Sequence, residues 1–215
     1  MIMNLRTSLL LTGVLAVSLS ACSDDDDTSP RSGLSGISEL QAGSYLVSVG
    51  DTAAPQTGRY YADDAGNRLL LIQDDDEKAQ ALYRQTADGD WVATPENSAD
   101  DVAVLLSHPL TALDTRLADL SGDYIAELPD GTAANFTLGT DGQITAITGG
   151  CQVGGSISES SLPDTFDVSL TLTACGDLTG SLSGHAFVGG DFDPPHIRLL
   201  TTAGDSLVEL WAFAD

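Results

Sequence analysis

Cations are scarce in this chain, and their scarcity excludes one large class of partner. The 215 residues contain 8 Lys and Arg against 32 Asp and Glu, which gives a formal net charge of -24 at pH 7. Lys78 is the single lysine. Proteins that bind nucleic acids need clustered Lys and Arg to neutralise phosphates. We therefore expect no nucleic-acid partner, whereas acidity of this size favours solubility and could steer cationic partners towards the chain.

The sequence also lacks the common signatures of catalytic and metal sites. Its three cysteines form no Cys-x-x-Cys pair, which argues against a redox motif or a zinc motif. It contains no Gly-x-Ser-x-Gly elbow, no glycine-rich phosphate loop and no His-Glu-x-x-His. Aromatic residues make up 6% of the chain. Short predicted strands with few aromatics argue against a membrane-spanning barrel, whose strands run to about 9–11 residues between aromatic girdles.

The first 21 residues have the features of an export signal. Arg6 precedes an apolar run at positions 9–17, which is shorter than the about 20 residues of a spanning helix and fits the apolar region of a secretory signal. The run leads into Leu19-Ser20-Ala21-Cys22, which resembles the lipobox of bacterial lipoproteins. The resemblance implies that the signal, 1–21, is removed before Cys22, and that Cys22 carries diacylglycerol and an acylated amino group, for example with palmitate. A plain secretory signal with a chance cysteine is the alternative.

An acidic segment follows the lipobox. Four consecutive aspartates at 24–27 repel one another, and the Ser, Pro and Gly residues after them disfavour a packed core. We predict a lipidated, flexible tether over residues 22–40. A calcium loop is the alternative, but such a loop alternates its ligands and places a turn glycine among them. In the lipoprotein resemblance, Ser23 directly after the cysteine implies sorting to the outer membrane, so we expect a lipid-anchored protein of the bacterial cell envelope.

Two cysteines remain once Cys22 is assigned to lipid. Cys151 and Cys175 form an even pair in an oxidising compartment, which predicts a disulfide between them. Two buried free thiols are the alternative.

Residues 121–215 predict an eight-stranded antiparallel domain. The clearest strand has Phe166, Val168, Leu170 and Leu172 on one face and polar residues on the other, as expected for a sheet with one buried face. Turns rich in Gly, Asp and Pro separate the strands. The predicted fold is all-β, an antiparallel meander that closes into a small barrel or sandwich. The expected strands are 123–128, 132–138, 143–148, 152–158, 166–174, 181–188, 197–201 and 206–213.

The first half of the mature chain, 41–108, is predicted to be β-rich as well. The leucines at 110, 113, 117 and 120 have helical spacing, so 109–120 is expected to be a linker or short helix. One large barrel and two β domains are both compatible with this pattern. The expected strands are 44–49, 59–62, 68–73, 79–85, 91–94 and 102–106.

The hairpin between the two cysteines contains a conflict of register. Placing Cys151 opposite Cys175 pairs the apolar Val153 and Ile157 with polar residues of the next strand. A β-bulge or a one-residue offset would resolve the conflict, and we expect it near Gly154 and Gly155.

One loop brings together residue types that could bind a metal. Asp191, Asp193 and His196 lie in a segment stiffened by two prolines, and carboxylate and imidazole groups are ligands for divalent ions. A rigid acidic turn is the simpler interpretation, so no metal or cofactor is predicted. His185 falls on the polar face of its strand and is expected to be an exposed surface residue rather than a catalytic base.

These observations favour a non-enzymatic module. We expect a lipid-anchored envelope lipoprotein with a binding or structural role, in contact with the membrane through its anchor and with an envelope protein or a small hydrophobic ligand. The overall plan resembles that of small, lipocalin-like β-barrel lipoproteins. Three alternatives remain open at this point: an inhibitor of a basic hydrolase such as lysozyme, a carrier of hydrophobic ligands, and a periplasmic hydrolase that uses the 191–196 segment.

Overall fold

The fold was analysed on a computed structural model, which describes residues 36–99, 101–189 and 196–215. The predicted signal, Cys22 and most of the predicted tether lie outside these residues. Fourteen strands and two short 3-10 helices, Leu117–Leu120 and Gly176–Leu178, make up the regular structure of the described residues. The strands are β1 (Gly43–Asp51), β2 (Ala54–Ala62), β3 (Arg68–Gln73), β4 (Ala79–Gln85), β5 (Val92–Thr94), β6 (Val104–Pro109), β7 (Gly122–Glu127), β8 (Ala133–Leu138), β9 (Gln143–Ala146), β10 (Gln152–Glu159), β11 (Thr165–Thr173), β12 (Gly180–Phe187), β13 (His196–Ala203) and β14 (Ser206–Ala214).

The eight C-terminal strands form a closed antiparallel barrel. Each strand pairs with the next along the chain, and β14 pairs with β7 to close the ring. The prediction of an all-β antiparallel fold is confirmed, and the structure decides for a barrel rather than a sandwich. All eight predicted strands are present, with β9 ending earlier than expected. Closure removes the unpaired edges that an open sheet of this kind would expose.

Apolar side chains fill the inside of the barrel. From Phe166 onwards the burial along β11 alternates residue by residue, with Phe166, Val168, Leu170 and Leu172 inside and the residues between them exposed. These residues belong to one cluster with buried side chains from all eight strands. Tyr124 and Phe136 stack in it with ring centroids 5.5 Å apart. The period of two read from the sequence therefore identifies the inward face.

The six N-terminal strands form an open antiparallel sheet in the order β5-β4-β3-β2-β1-β6. Its central strand β3 is buried on both faces, because Leu70 and Ile72 pack in one cluster while Leu69 and Leu71 pack in another. A run of consecutive apolar residues is what burial on two faces requires. All six predicted N-terminal strands are confirmed.

One face of the sheet packs on the outside of the barrel. Tyr61 of β2 contacts Phe187 of β12 with ring centroids 5.3 Å apart, and both belong to a buried cluster with Leu200 of β13. Leu162, in the turn between β10 and β11, completes the same cluster. All described residues belong to one compact unit of the chain. The sheet and the barrel therefore share a hydrophobic interface.

The other face of the sheet is covered by loops and by the segment before β1. Ile37 is buried in this second cluster with Tyr60, Trp91 and Val102, and Leu40 packs beside it. Residues 37–40, which were predicted as the end of the tether, thus contribute to the core of the sheet.

The predicted disulfide is confirmed. Cys151 and Cys175 are joined, with their Cα atoms 4.5 Å apart, at the open end of the β10–β11 hairpin. The register is offset by one residue from direct opposition, so that Val153 pairs with Leu172 and Ile157 with Val168. This offset keeps the apolar residues of both strands on the inside.

The expected bulge near Gly154 and Gly155 is absent, since the β10–β11 register runs without a shift through both residues. Gly155 instead has a φ of 138°, and a Cβ atom there would clash with the carbonyl oxygen of Ser169. Glycine is therefore required at this position for the close approach of the two strands.

For 109–120, where a linker or a short helix was expected, the structure has a connector that ends in one short helical turn. Only Leu117–Leu120 is helical, as a single 3-10 turn, and 110–116 has no regular structure. The backbone donors of this segment have partners elsewhere: Leu110 N–H donates to the Ser44 carbonyl and Leu113 N–H to the Asp164 carboxylate. An isolated helix of this length is marginal, so contacts with the sheet and the barrel determine its path.

Candidate functional site

A cleft opens where the sheet, the barrel and the 110–116 connector meet. Its volume is about 210 Å³. Polar groups from both halves converge on an otherwise apolar lining, which is the usual composition of small-molecule sites. The lining consists of Ser44, Arg59, Tyr61, Leu110, Thr111, Leu113, Asp164, Val188 and Gly189.

Strand pairing places the polar groups of the sheet on one face. Ser44 of β1 pairs with Tyr61 of β2, and Leu46 pairs with Arg59. Residues directly opposite each other in an antiparallel pair point to the same face. Because Tyr61 contacts the barrel at Phe187, this is the face that the barrel covers, and Arg59 lies near the margin of the covered area.

Asp164 ties the barrel to the sheet at the floor of the cleft. It precedes β11 with a φ of 55°, a conformation that non-glycine residues adopt at a cost. Its two carboxylate oxygens accept hydrogen bonds from Ser44 Oγ at 2.6 Å and from Leu113 N at 2.8 Å. One side chain therefore holds β1, the connector and the barrel turn in a fixed relation.

Tyr61 and Arg59 supply hydrogen-bond donors. Burial raises the pKa of Tyr61 to about 12, while Arg59 and Arg198 nearby lower it in part and Asp164 raises it. The phenol therefore keeps its proton at neutral pH. Arg59 is itself buried, at 7% exposure, and its positive charge lies near enough to the phenol to lower the pKa of Tyr61 in part. The guanidinium of Arg59 and the phenol of Tyr61 therefore provide a cation and a neutral hydrogen-bond donor, which could bind a hydrogen-bond acceptor of a ligand.

A buried ion pair lies beside the cleft. Arg198 of β13 is fully buried, and its Nε is 2.6 Å from Oε1 of Glu209 on β14. The N–H of that nitrogen is not aligned on the oxygen, so the contact is an ion pair rather than a directed hydrogen bond. Arg198 Nη2 also donates to the carbonyl of Glu77 at 2.7 Å, and Glu209 Oε2 accepts from Ala79 N at 2.9 Å. The pair thus fastens the start of β4 to the barrel.

A second hollow, of about 360 Å³, lies on the outside of the barrel near the start of β4. Trp211 and Phe213 of β14 and the carboxylates of Glu127 and Glu209 line it together with Lys78. The guanidinium carbon of Arg198 lies 4.8 Å from the Trp211 ring centroid, in cation–π contact. The carboxylate of Glu209 is already engaged with Arg198 and β4, which makes this hollow less suited to a ligand than the cleft.

His185 is less exposed than predicted. Its side chain retains 15% exposure, and Nδ1 lies 3.3 Å from Oδ1 of Asp167 on the neighbouring strand. Burial lowers the pKa of His185 and Arg84 lowers it further, while Asp167 raises it. The prediction of an exposed surface histidine is wrong because the sheet covers this part of the barrel, which brings Arg84 of β4 close to it.

The other residues singled out in the sequence are separated from the cleft or lie outside the described residues. Asp191 and Asp193 are outside them, and so is the side chain of His196, whose backbone begins β13. Within 36–99, 101–189 and 196–215, no group of three or more His, Cys, Asp and Glu side chains is arranged to hold a metal ion. Neither short helix in the same ranges has the length and apolar character to cross a membrane.

Sequence reasoning missed the cleft residues. Ser44, Arg59, Tyr61 and Asp164 come from three distant parts of the chain, and no spacing links them. The one sequence feature that could have pointed to the cleft is Arg59, a cation within the predicted strand 59–62 of a chain that has few cations.

Comparisons with known proteins find no relative. No protein-family model, no curated protein and no solved structure matches the chain.

Proposed function

We propose that this chain is a lipid-anchored, non-enzymatic lipoprotein of the bacterial cell envelope. Its ligand is a small apolar molecule with an anionic head, such as a carboxylate, which binds in the cleft between sheet and barrel. The anchor would be Cys22, through the lipobox at 19–22. The observation that carries the binding role is the cleft itself, in which Arg59 and Tyr61 lie beside an apolar wall formed by Leu110, Leu113 and Val188.

The chemistry of the cleft favours an acceptor head over a cationic one. Arg59 carries a positive charge and Tyr61 remains a neutral donor at physiological pH. Asp164, the carboxylate that the described residues contribute to the lining, already accepts hydrogen bonds from Ser44 and Leu113. Leu110, Leu113 and Val188 provide an apolar wall for the rest of the ligand. A carboxylate with a short hydrocarbon body matches these groups.

The same contacts support a role without catalysis. The Ser44 hydroxyl donates to a carboxylate, whereas a nucleophilic serine donates to a base such as an imidazole that can take its proton. Tyr61, with a raised pKa, is a poor proton acceptor near neutral pH. We therefore propose binding rather than turnover at this site.

The test compares three ligands with one hydrocarbon chain and different heads. The complete mature chain, 22–215, would carry Cys22→Ala so that no lipid competes, and would be titrated calorimetrically with hexanoate, hexanol and hexylamine at pH 7. We expect hexanoate to bind most tightly and hexylamine most weakly. Equal or tighter binding of hexylamine would contradict the proposed head group, and no binding of any of the three would contradict the proposed function.

A matched pair of variants locates the binding. Arg59→Gln removes the charge in the cleft and should weaken hexanoate binding by about tenfold or more, since charge-assisted hydrogen bonds contribute about 1.5–3 kcal/mol. Arg116→Gln removes an exposed charge on the connector, where the side chain is 78% exposed, and should leave binding unchanged. An equal loss in both variants would indicate a general charge effect instead of a site at Arg59.

A further inference from the structure

The face of the sheet that carries Arg59 continues beyond the barrel and presents two exposed leucines, Leu46 and Leu106. Leu46 pairs with Arg59 on one side and with His108 of β6 on the other. One step further along the strands, Ser48 pairs with Leu106. Paired residues share a face, so Leu46 and Leu106 lie on the same face as the cleft residues Ser44 and Tyr61.

The arrangement forms successive rows that lead out of the cleft. The innermost row contains Tyr61 and Ser44, the next contains Arg59, Leu46 and His108, and the third contains Thr57, Ser48 and Leu106. Rows are separated by two residues of strand, or about 7 Å. Leu46 is therefore the neighbour of Arg59 at the margin of the cleft, and Leu106 lies one row beyond it.

The two leucines of this strip are unusually exposed. Leu46 is 40% exposed and Leu106 is 73% exposed. Residues 102–113 contain no Asp, Glu, Lys or Arg, in a chain with 32 acidic residues. Exposed apolar residues that adjoin each other next to a binding cleft mark an interaction surface more often than isolated ones do.

Two features of β6 argue against a protein strand as the occupant of this strip. The register between β1 and β6 shifts at Ser48 and Val49, and β6 ends in Pro109, which has no N–H to donate. Bulges and prolines are the devices by which sheets protect an edge from the addition of another strand. The net charge of -24 also opposes association with a second copy.

We propose that the ligand of the cleft is an amphiphile whose anionic head lies at Arg59 and Tyr61 and whose hydrocarbon tail leaves the cleft and lies across Leu46 and Leu106. This inference rests on the proposed function. It adds the ligand class, a straight-chain carboxylate longer than the cleft can enclose. The charge of Arg59 at one end and the two exposed leucines at the other match the two ends of such a molecule.

The experiment is a chain-length series on the same mature protein, with butanoate, hexanoate, octanoate and decanoate below their aggregation limits. A methylene removed fully from water raises affinity by about fourfold, and one that lies on an open strip gains less. We expect affinity to rise through decanoate, by about twofold or more for each methylene beyond hexanoate.

Three variants assign the tail. Leu46→Ser and Leu106→Ser should flatten the series beyond hexanoate and leave butanoate binding unchanged. Val92→Ser alters an apolar residue of similar exposure, 57%, on β5 at the other end of the sheet order, and should leave the whole series unchanged.

The outcomes separate the two proposals. A wild-type series that stops rising at hexanoate, with butanoate and hexanoate still bound, overturns the tail assignment and leaves the cleft as the site. The same conclusion follows if Val92→Ser flattens the series as much as Leu106→Ser does. Failure of every carboxylate to bind, at all lengths, overturns the proposed function together with this inference.

Discussion

Arg198 and Glu209 lie on neighbouring strands of the barrel, and their side chains meet at the surface that the N-terminal sheet covers. Arg198 Nε is 2.6 Å from Glu209 Oε1, and the two side chains are 0% and 14% exposed. Each also binds the backbone of the sheet, at Glu77 and at Ala79. The pair therefore connects the two sheets of the molecule as well as two strands of one of them.

Loss of one partner of this pair should destabilise the protein strongly. Arg198→Leu or Glu209→Leu leaves the other charge buried without its counter-ion, which costs about 3 kcal/mol of unfolding free energy. The double variant should lose less than the sum of the two single variants, because no uncompensated charge remains. Urea denaturation of all four proteins measures the coupling.

The control for that cycle is an exposed pair in the same chain. Arg116 Nε lies 3.3 Å from Asp119, but the side chains are 78% and 45% exposed. Arg116→Leu should change stability by less than about 1 kcal/mol, as is usual for surface pairs. A cost equal to that of Arg198→Leu would show that burial of the Arg198–Glu209 pair is unimportant for its effect.

Tyr61 should make the stability sensitive to high pH. In the folded chain its pKa is about 12, whereas its ordinary value is 10.0. Between these values the folded state binds more protons than the unfolded state, so the free energy of unfolding falls as the pH rises, by about 3 kcal/mol in total from this group. Below pH 10 the contribution is fully present.

The variant Tyr61→Phe removes this ionisation while it keeps the ring against Phe187. The free energy of unfolding of both proteins would be measured by chemical denaturation at several pH values from 9 to 12. The difference between wild type and variant should narrow as the pH rises. A difference that stays constant over this range would show that Tyr61 does not hold its proton in the fold.

The Cys151–Cys175 disulfide closes a loop with a sequence separation of 24. Its removal in Cys151→Ala/Cys175→Ala should lower the unfolding free energy by about 3.5 kcal/mol in the chain-entropy treatment. A reducing agent should destabilise the wild type by a similar amount and leave the double variant unaffected. Equal stability of wild type and variant without reductant would contradict a stabilising role.

Lipidation at Cys22 is open to a direct test in cells. Radiolabelled palmitate should be incorporated into the wild-type chain, and Cys22→Ser should abolish the label and release the protein from the membrane fraction. Cys151→Ala/Cys175→Ala is the matched control, because it removes two cysteines and should keep the label. Labelling of Cys22→Ser would refute the lipobox assignment.

Much of the fold could be predicted because alternation is a local property. The inward residues of β11, for example, follow from a period of two within nine residues. The conflict of register in the β10–β11 hairpin could also be seen in the sequence, and of its two solutions, a bulge or a one-residue offset, the structure has the offset. At 109–120 the helical spacing of the leucines left a linker and a short helix open. Most of the segment is a connector, because the backbone N–H groups of Leu110 and Leu113 donate to Ser44 and Asp164.

The candidate site could not be predicted in the same way. Arg198 and Glu209 occupy outward positions of barrel strands, which alternation assigns to water, and the sheet buries them only when it packs on that face. Asp164 reaches Ser44 across a separation of 120 residues. Contacts of this kind depend on which faces of the sheet and the barrel meet. The alternation of residues within a single strand does not predict that.

The sequence by itself determined the acidity of the chain, its β character, the cysteine pair and the positions of its strands, because composition and the side-chain period of a strand are written locally. Only the tertiary structure decided that the C-terminal strands close into a barrel, that the sheet lies against its outer face, and that Arg59, Tyr61 and Asp164 meet in one cleft. The physical reason is that two apolar surfaces pack together when the contact removes their area from water. The polar groups at the margins of those surfaces are then brought close to one another.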